Sequence, residues 1–264
     1  MVPSLTCCAA FALVASLMSV CFAATIVCPR KAPTNPGFKP VASGGDGDDV
    51  QFWYVGYDPS FNTIIVGYQG TGTTKILPII TDLEFFLESL DSSLFPGIGS
   101  NIEVHSGFKK AQADTPTKVL SSVKTAMSAF STTSVTLVGH SLGGAFALLD
   151  RVYFDLQLPT VSLSVISYGM PRVGNQAFAV YVGAHVSMSH VNNSRKDPVP
   201  ILPGRFLGFH HSSGEKHITD SNALVASPGQ DNDDNQCTVG EVRSILVGDP
   251  DDHSGPYDGI VIVF

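Results

Sequence analysis

Gly139-His140-Ser141-Leu142-Gly143-Gly144-Ala145 is the stretch whose reading decides the fold. Ser134 to Val138 before it is a short β-rich run and Phe146 to Leu156 after it has helical character, so the pattern predicts strand, turn, helix. A serine on such a sharp turn projects its hydroxyl outward, and the glycines of Gly139-x-Ser141-x-Gly143 remove the Cβ atoms that would crowd it. The helix that starts just after it contributes a positive dipole end, and the N–H of Leu142 is placed to stabilise an oxyanion. Ser141 is thus the candidate nucleophile.

Upstream, Gln51 to Tyr57 and Thr63 to Tyr68 are aromatic or β-branched runs separated by Asp58-Pro59-Ser60-Phe61-Asn62, which predicts strand, turn, strand. Helices are expected from about Asp82 to Leu90 and from about Phe108 to Phe130, the second interrupted at Pro116. Downstream, Val161 to Tyr168 reads as a buried strand, Asn175 to Val182 as a helix and Ala184 to Val191 as another strand. This alternation predicts an α/β-hydrolase fold, a mostly parallel central sheet flanked by helices.

A nucleophilic serine needs a base and a group that orients the base, and on this scaffold they follow in the order Ser, Asp, His. Six histidines follow Ser141: His185, His190, His210, His211, His217 and His253. His253 combines a late position with the loop setting Asp251-Asp252-His253-Ser254-Gly255, and is the expected general base; His211, in a polar turn, is its strongest rival. Asp197 follows a predicted strand and precedes Pro198-Val199-Pro200, which holds the backbone extended and lets the carboxylate project from the strand end. It is the expected acid of the triad.

At 264 residues, 44% apolar and 14% charged, the chain suits one large packed domain. A net charge of -8 without a basic cluster argues against a nucleic-acid partner. Leu5 to Ala24 carries no charge and ends in Cys21-Phe22-Ala23-Ala24, so residues 1–24 are expected to be a cleaved secretory signal. The mature domain would then be 25–264, secreted, with no stable membrane insertion. Cleavage leaves Cys28 and Cys237, an even pair in an oxidising compartment and the expected disulfide, worth at most about 4–5 kcal/mol by chain entropy. Asn192-Asn193-Ser194 is a glycosylation sequon with Asn192 as the candidate, and its nearness to Asp197 is the reason to expect partial burial instead. The acidic clusters Asp46 to Asp49 and Asp231 to Asp234 read as solvated loops; neither has the alternating ligand spacing of a calcium loop. No histidine pair has metal-ligand spacing on one helix face, so no metal and no cofactor is expected.

From about Trp53 to Tyr257 the sequence resembles the class 3, fungal-type lipases. The resemblance is carried by Val104-His105-Ser106-Gly107-Phe108, Val138 to Ala145, Tyr168-Gly169-Met170-Pro171-Arg172-Val173-Gly174-Asn175 and Asp197-Pro198-Val199-Pro200, in the family's order. It implies a structural role for His105, His140 and His211, and matches His253, followed by Tyr257, to the catalytic position. It also implies a second oxyanion donor, Thr71, after Gly70; Gln69 stands where many members have Arg, as in the basidiomycete-type subgroup. The segment after Thr71 is where the family carries a lid. Ile76, Leu77, Ile79 and Ile80 are the lid candidates, and each would gain roughly 1.5–3 kcal/mol from burial, at an oil surface if they form a lid or in the core if they do not. The activity implied is hydrolysis of acylglycerol esters at a lipid–water interface by a secreted monomer. Feruloyl or other carboxylic esterases share the scaffold, and a non-catalytic binding protein on it would be expected to lose one of Ser141, Asp197 or His253.

Overall fold

The computed structural model describes residues 35, 37–47, 50–71, 76, 78, 86–193, 196–219, 221–257 and 259–262. The expected signal segment, Cys28 and the lid candidates Leu77, Ile79 and Ile80 lie outside them. The main sheet has the order β1-β2-β3-β6-β7-β9-β11-β12. Its strands are β1 (Lys39–Gly44), β2 (Trp53–Asp58), β3 (Thr63–Tyr68), β6 (Ser134–His140), β7 (Ser162–Tyr168), β9 (Ser187–Asn193), β11 (Glu215–Ile218) and β12 (Leu224–Ser227). Pairings from β3 through β6, β7 and β9 to β11 are parallel, and the outer pairs are antiparallel. A small second sheet joins β10 (Phe209–His210), β8 (Gly174–Asn175), β5 (Glu103–His105) and β4 (Leu87–Ser89).

Central parallel strands are covered on both faces, so they read as continuous apolar runs. In β3 every residue is buried, with Ile64, Val66 and Tyr68 in the larger apolar cluster and Ile65 in the smaller one. The larger cluster takes its other side from α1 (Ser106–Ala113), α2 (Pro116–Phe130) and α3 (Leu142–Gln157). Pro116 stands in the first turn of α2, where its missing N–H costs no helical bond, and so divides the run from Phe108 to Phe130 into two helices. A fourth helix, α4 (Gln176–His185), is capped by the Asn175 side chain, which accepts from the Phe178 N–H at 2.9 Å.

Three expectations are corrected here. Leu87–Ser89, placed in a helix by its short apolar run, is a strand pairing antiparallel with β5, a tertiary contact that overrides local periodicity. The strand expected from Ala184 starts at Ser187, because α4 runs on to His185. Asp231 is not a solvated loop residue: it is buried and ion-paired to Arg172 at 2.7 Å, and it also accepts from the His211 N–H.

Asp150 on α3 is fully buried, accepting from the Tyr68 hydroxyl and, at 2.6 Å, from Gln112 Nε2. Burial pushes its pKa up to about 6, against the lowering by these two bonds. A carboxyl raised on folding stabilises the fold below its unfolded pKa, and that contribution is lost as pH rises through about 6. Urea melts at about pH 4 and pH 7 should therefore show wild type losing roughly 2 kcal/mol more than Asp150→Asn between the two. An equal gap at both pH values would count against a raised Asp150.

Candidate active site

Strand β6 ends at His140 and α3 begins at Leu142, leaving Ser141 alone in the turn with φ 57° and ψ −129°. A non-glycine residue at positive φ is strained, and here the strain is held by packing that has no slack. A Cβ on Gly139 would lie 2.1 Å from the Gly143 backbone, and one on Gly143 would lie 2.3 Å from the Tyr68 carbonyl. The Ser141 N–H donates to the Tyr68-paired strand's neighbour, the Tyr168 carbonyl, at 2.8 Å. These contacts bring the end of β3, at Tyr68 and Gln69, against the first turn of α3.

His253 sits in a 3-10 turn, Pro250–Ser254, and its Nδ1–H donates to Asp197 Oδ2 at 2.9 Å. Asp197 Oδ1 accepts from the Val199 N–H, also at 2.9 Å, so the Pro198 turn fixes the carboxylate plane. Two further bonds clip the segments together: Asp249 N–H to the Lys196 carbonyl at 2.6 Å, and Lys196 N–H to Asp252 Oδ2 at 3.0 Å. Gly169, at φ +54°, closes the arrangement, because a Cβ there would come within 3.1 Å of both Asp197 Oδ2 and His253 Cε1. Gly169 follows Tyr168, whose carbonyl holds Ser141, so Ser141 and the histidine–carboxylate pair meet at one strand end.

Ser141 Oγ, His253 Nε2 and Thr71 Oγ1 are buried and have no hydrogen-bond partner among the described residues. A buried polar atom left so costs about 1–3 kcal/mol. Of the residues expected to act together, His253 and Asp197 are bonded directly, and Ser141 is held at the same strand end through its N–H to Tyr168. Ser141 Oγ and His253 Nε2 share no hydrogen bond, and Thr71 and Leu142 are buried.

The other histidines have structural partners. His105 Nδ1 accepts from the Phe108 N–H at 3.3 Å, capping α1. His211, the rival base, stacks on His190 with centroids 4.7 Å apart; burial and then His190 hold its pKa down at about 3. His217 bonds Thr238 and Glu241, and His185 bonds the Tyr181 carbonyl. His210 bonds Asp231. Among the described residues no cluster of three metal-ligating side chains occurs.

Asn192 and Ile76, each with two readings in the sequence, are both inside the fold. Asn192 is 1% exposed and its Nδ2 donates to Thr238 Oγ1 at 3.0 Å, so the nitrogen that would carry a glycan is inside the fold and the sequon is not a usable site in the folded chain. Ile76 is fully buried in the larger apolar cluster, as the core reading expects of it. Cys237 is buried and has no disulfide partner among the described residues.

A strained elbow serine between a parallel strand and a helix, opposite a histidine–carboxylate pair, defines a serine hydrolase of the α/β-hydrolase type. The sequence model of the Lipase (class 3) family matches residues 66–207. A secreted mono- and diacylglycerol lipase, MDL2 of Malassezia globosa, is 30% identical over 225 residues, spanning 80% of this chain and 72% of that one. Lipase II from Rhizopus niveus superposes with a TM-score of 0.80 at 25% identity, covering 97% of this chain and 94% of its own. A triacylglycerol lipase whose catalytic centre is described as a serine protease triad gives 0.78 at 26% identity, covering 98% and 94%. The chain belongs to the class 3 lipase family, and it is a carboxylic ester hydrolase.

Proposed function

We propose that this chain is a secreted lipase that hydrolyses acylglycerol esters through an acyl-enzyme, with Ser141 as nucleophile, His253 as general base and Asp197 as the orienting acid. The observation that carries the reading is the His253–Asp197 bond packed on Gly169, next to the Tyr168 carbonyl that holds Ser141, with Ser141 Oγ and His253 Nε2 buried and unpartnered among the described residues. With Nδ1–H committed to Asp197, His253 Nε2 presents a lone pair, the form that accepts the serine proton. Ser141 Oγ attacks the ester carbonyl while the Leu142 N–H and Thr71, with the N-terminal end of α3, stabilise the developing oxyanion. The proton passes from His253 to the leaving alcohol, and water, deprotonated in turn by His253, releases the fatty acid.

Substrate class and export are read from the relatives: several are named secreted mono- and diacylglycerol lipases. Removal of residues 1–24, a Cys28–Cys237 disulfide and a monomeric state belong to the same proposal. Both Ser141 and His253 are 0% exposed, so in this state a bulky ester has no direct access to them. A change of access at an oil surface fits that burial, with Leu77, Ile79 and Ile80 as the residues that would meet the oil.

Mature protein assayed on a diacylglycerol, a long-chain triacylglycerol emulsion and methyl ferulate tests this. The expected result is acylglycerol hydrolysis that rises once an interface forms. Turnover of methyl ferulate alone would overturn the lipase reading in favour of an aromatic esterase.

A further inference from the structure

The residue before the nucleophile makes a contact that the reaction scheme above does not use. His140 Nε2 lies 2.8 Å from the main-chain carbonyl oxygen of His253. A carbonyl only accepts, so the bond fixes His140 in the tautomer with its proton on Nε2. The two imidazoles lie 4.4 Å apart, tilted by 38°. Tyr257 OH donates to the same carbonyl at 3.3 Å and packs edge-on to His140.

We propose that His140 is a positioning residue for the catalytic base, holding the backbone of His253 to the strand that carries Ser141. The inference rests on the reading of His253 as that base. Its logic lies in where the two residues stand. His140 ends β6, which is parallel-paired on both sides and pairs with Tyr168 at this level. His253 stands in a short 3-10 turn, outside any strand. Bonds to Asp197 and Lys196 set the base relative to its acid, whereas the His140 bond sets it relative to the nucleophile one residue away. Misplacement of a reacting group by about 1 Å costs on the order of a hundredfold in rate, so a direct strand-to-base bond is worth much more in turnover than in stability. Burial, and then the nearness of His253, push the His140 pKa well below its ordinary value, so His140 stays a neutral donor and does not compete for the serine proton.

The test pairs His140→Met with His140→Gln, two chains of similar length of which only Gln carries a donor, assayed on a soluble short-chain ester. Expected is a loss of roughly tenfold or more in kcat for the Met variant with KM within about twofold, and recovery by Gln to within about threefold of wild type. Equal losses in both variants, or a folded Met variant with wild-type kcat, would overturn the proposal. Imidazole nitrogen NMR on the wild-type protein from about pH 5 to 8 gives an independent readout that no folding defect can confuse. A neutral ring with Nε2–H throughout is expected; a ring that titrates in this range, or carries its proton on Nδ1, rejects the role. Absence of esterase activity in the wild type would instead strike at the hydrolase reading.

Discussion

Ser141→Ala is expected to lower kcat by about 10⁶-fold while leaving the fold at least as stable as the wild type. Both halves follow from the elbow. The backbone at φ 57° is imposed by the Gly139 and Gly143 contacts and by the bond to the Tyr168 carbonyl, none of which involves the serine side chain. Alanine keeps the Cβ, and with it the strain, but removes a buried hydroxyl that has no partner among the described residues, an atom whose burial costs about 1–3 kcal/mol. Catalysis and stability therefore pull in opposite directions at this position. Ester hydrolysis and urea denaturation measured on the same preparation check the pair of claims. Residual kcat within a hundredfold of wild type would remove Ser141 from the nucleophile role, and a large destabilisation would mean that Oγ has a structural partner.

What could be read beforehand was local. Strand β3 was expected over Thr63 to Tyr68 and stands there to the residue, because six β-branched, aromatic or small residues in a row, bounded by Asn62 and Gln69, admit few alternatives. The elbow was legible for the same reason: only small neighbours permit the turn. The pairing of His253 with Asp197, 56 residues apart, is expected from chain order, loop setting and the resemblance, and the two side chains are bonded in the fold. What stayed hidden depends on distant partners. Asp231 sits in an acidic run that looks solvated, and only the fold shows Arg172 arriving from 59 residues away. Asn192 carries a perfect sequon, yet β9 turns its amide inward onto Thr238. The strand β1 from Lys39 lies in a Pro/Gly/Asp-rich lead, and its pairing to β2 supplies what its own composition does not. The His140 bond to His253 spans 113 residues and leaves no trace in either neighbourhood.

Asp197→Asn should preserve the fold and lower kcat by about 10⁴-fold, the order seen when a triad carboxylate is neutralised. The geometry gives a specific reason. Asp197 Oδ1 accepts from the Val199 N–H and Oδ2 accepts from His253 Nδ1–H. An asparagine has one acceptor and one donor group, and the Val199 N–H, which cannot change role, claims the oxygen. The amide NH₂ is then left facing His253, which satisfies it only by presenting Nδ1 as an acceptor and moving its proton to Nε2. In that tautomer the nitrogen facing Ser141 carries a hydrogen and has no lone pair for the serine proton. Flipping the amide restores His253 but sets NH₂ against the Val199 N–H inside a buried turn, so neither orientation recovers the reaction. KM should change little, because Asp197 is expected to act on the base without contacting substrate. Steady-state kinetics on a soluble ester, with circular dichroism to confirm the fold, provides the check. An Asn variant within tenfold of wild-type kcat would show that another group orients His253.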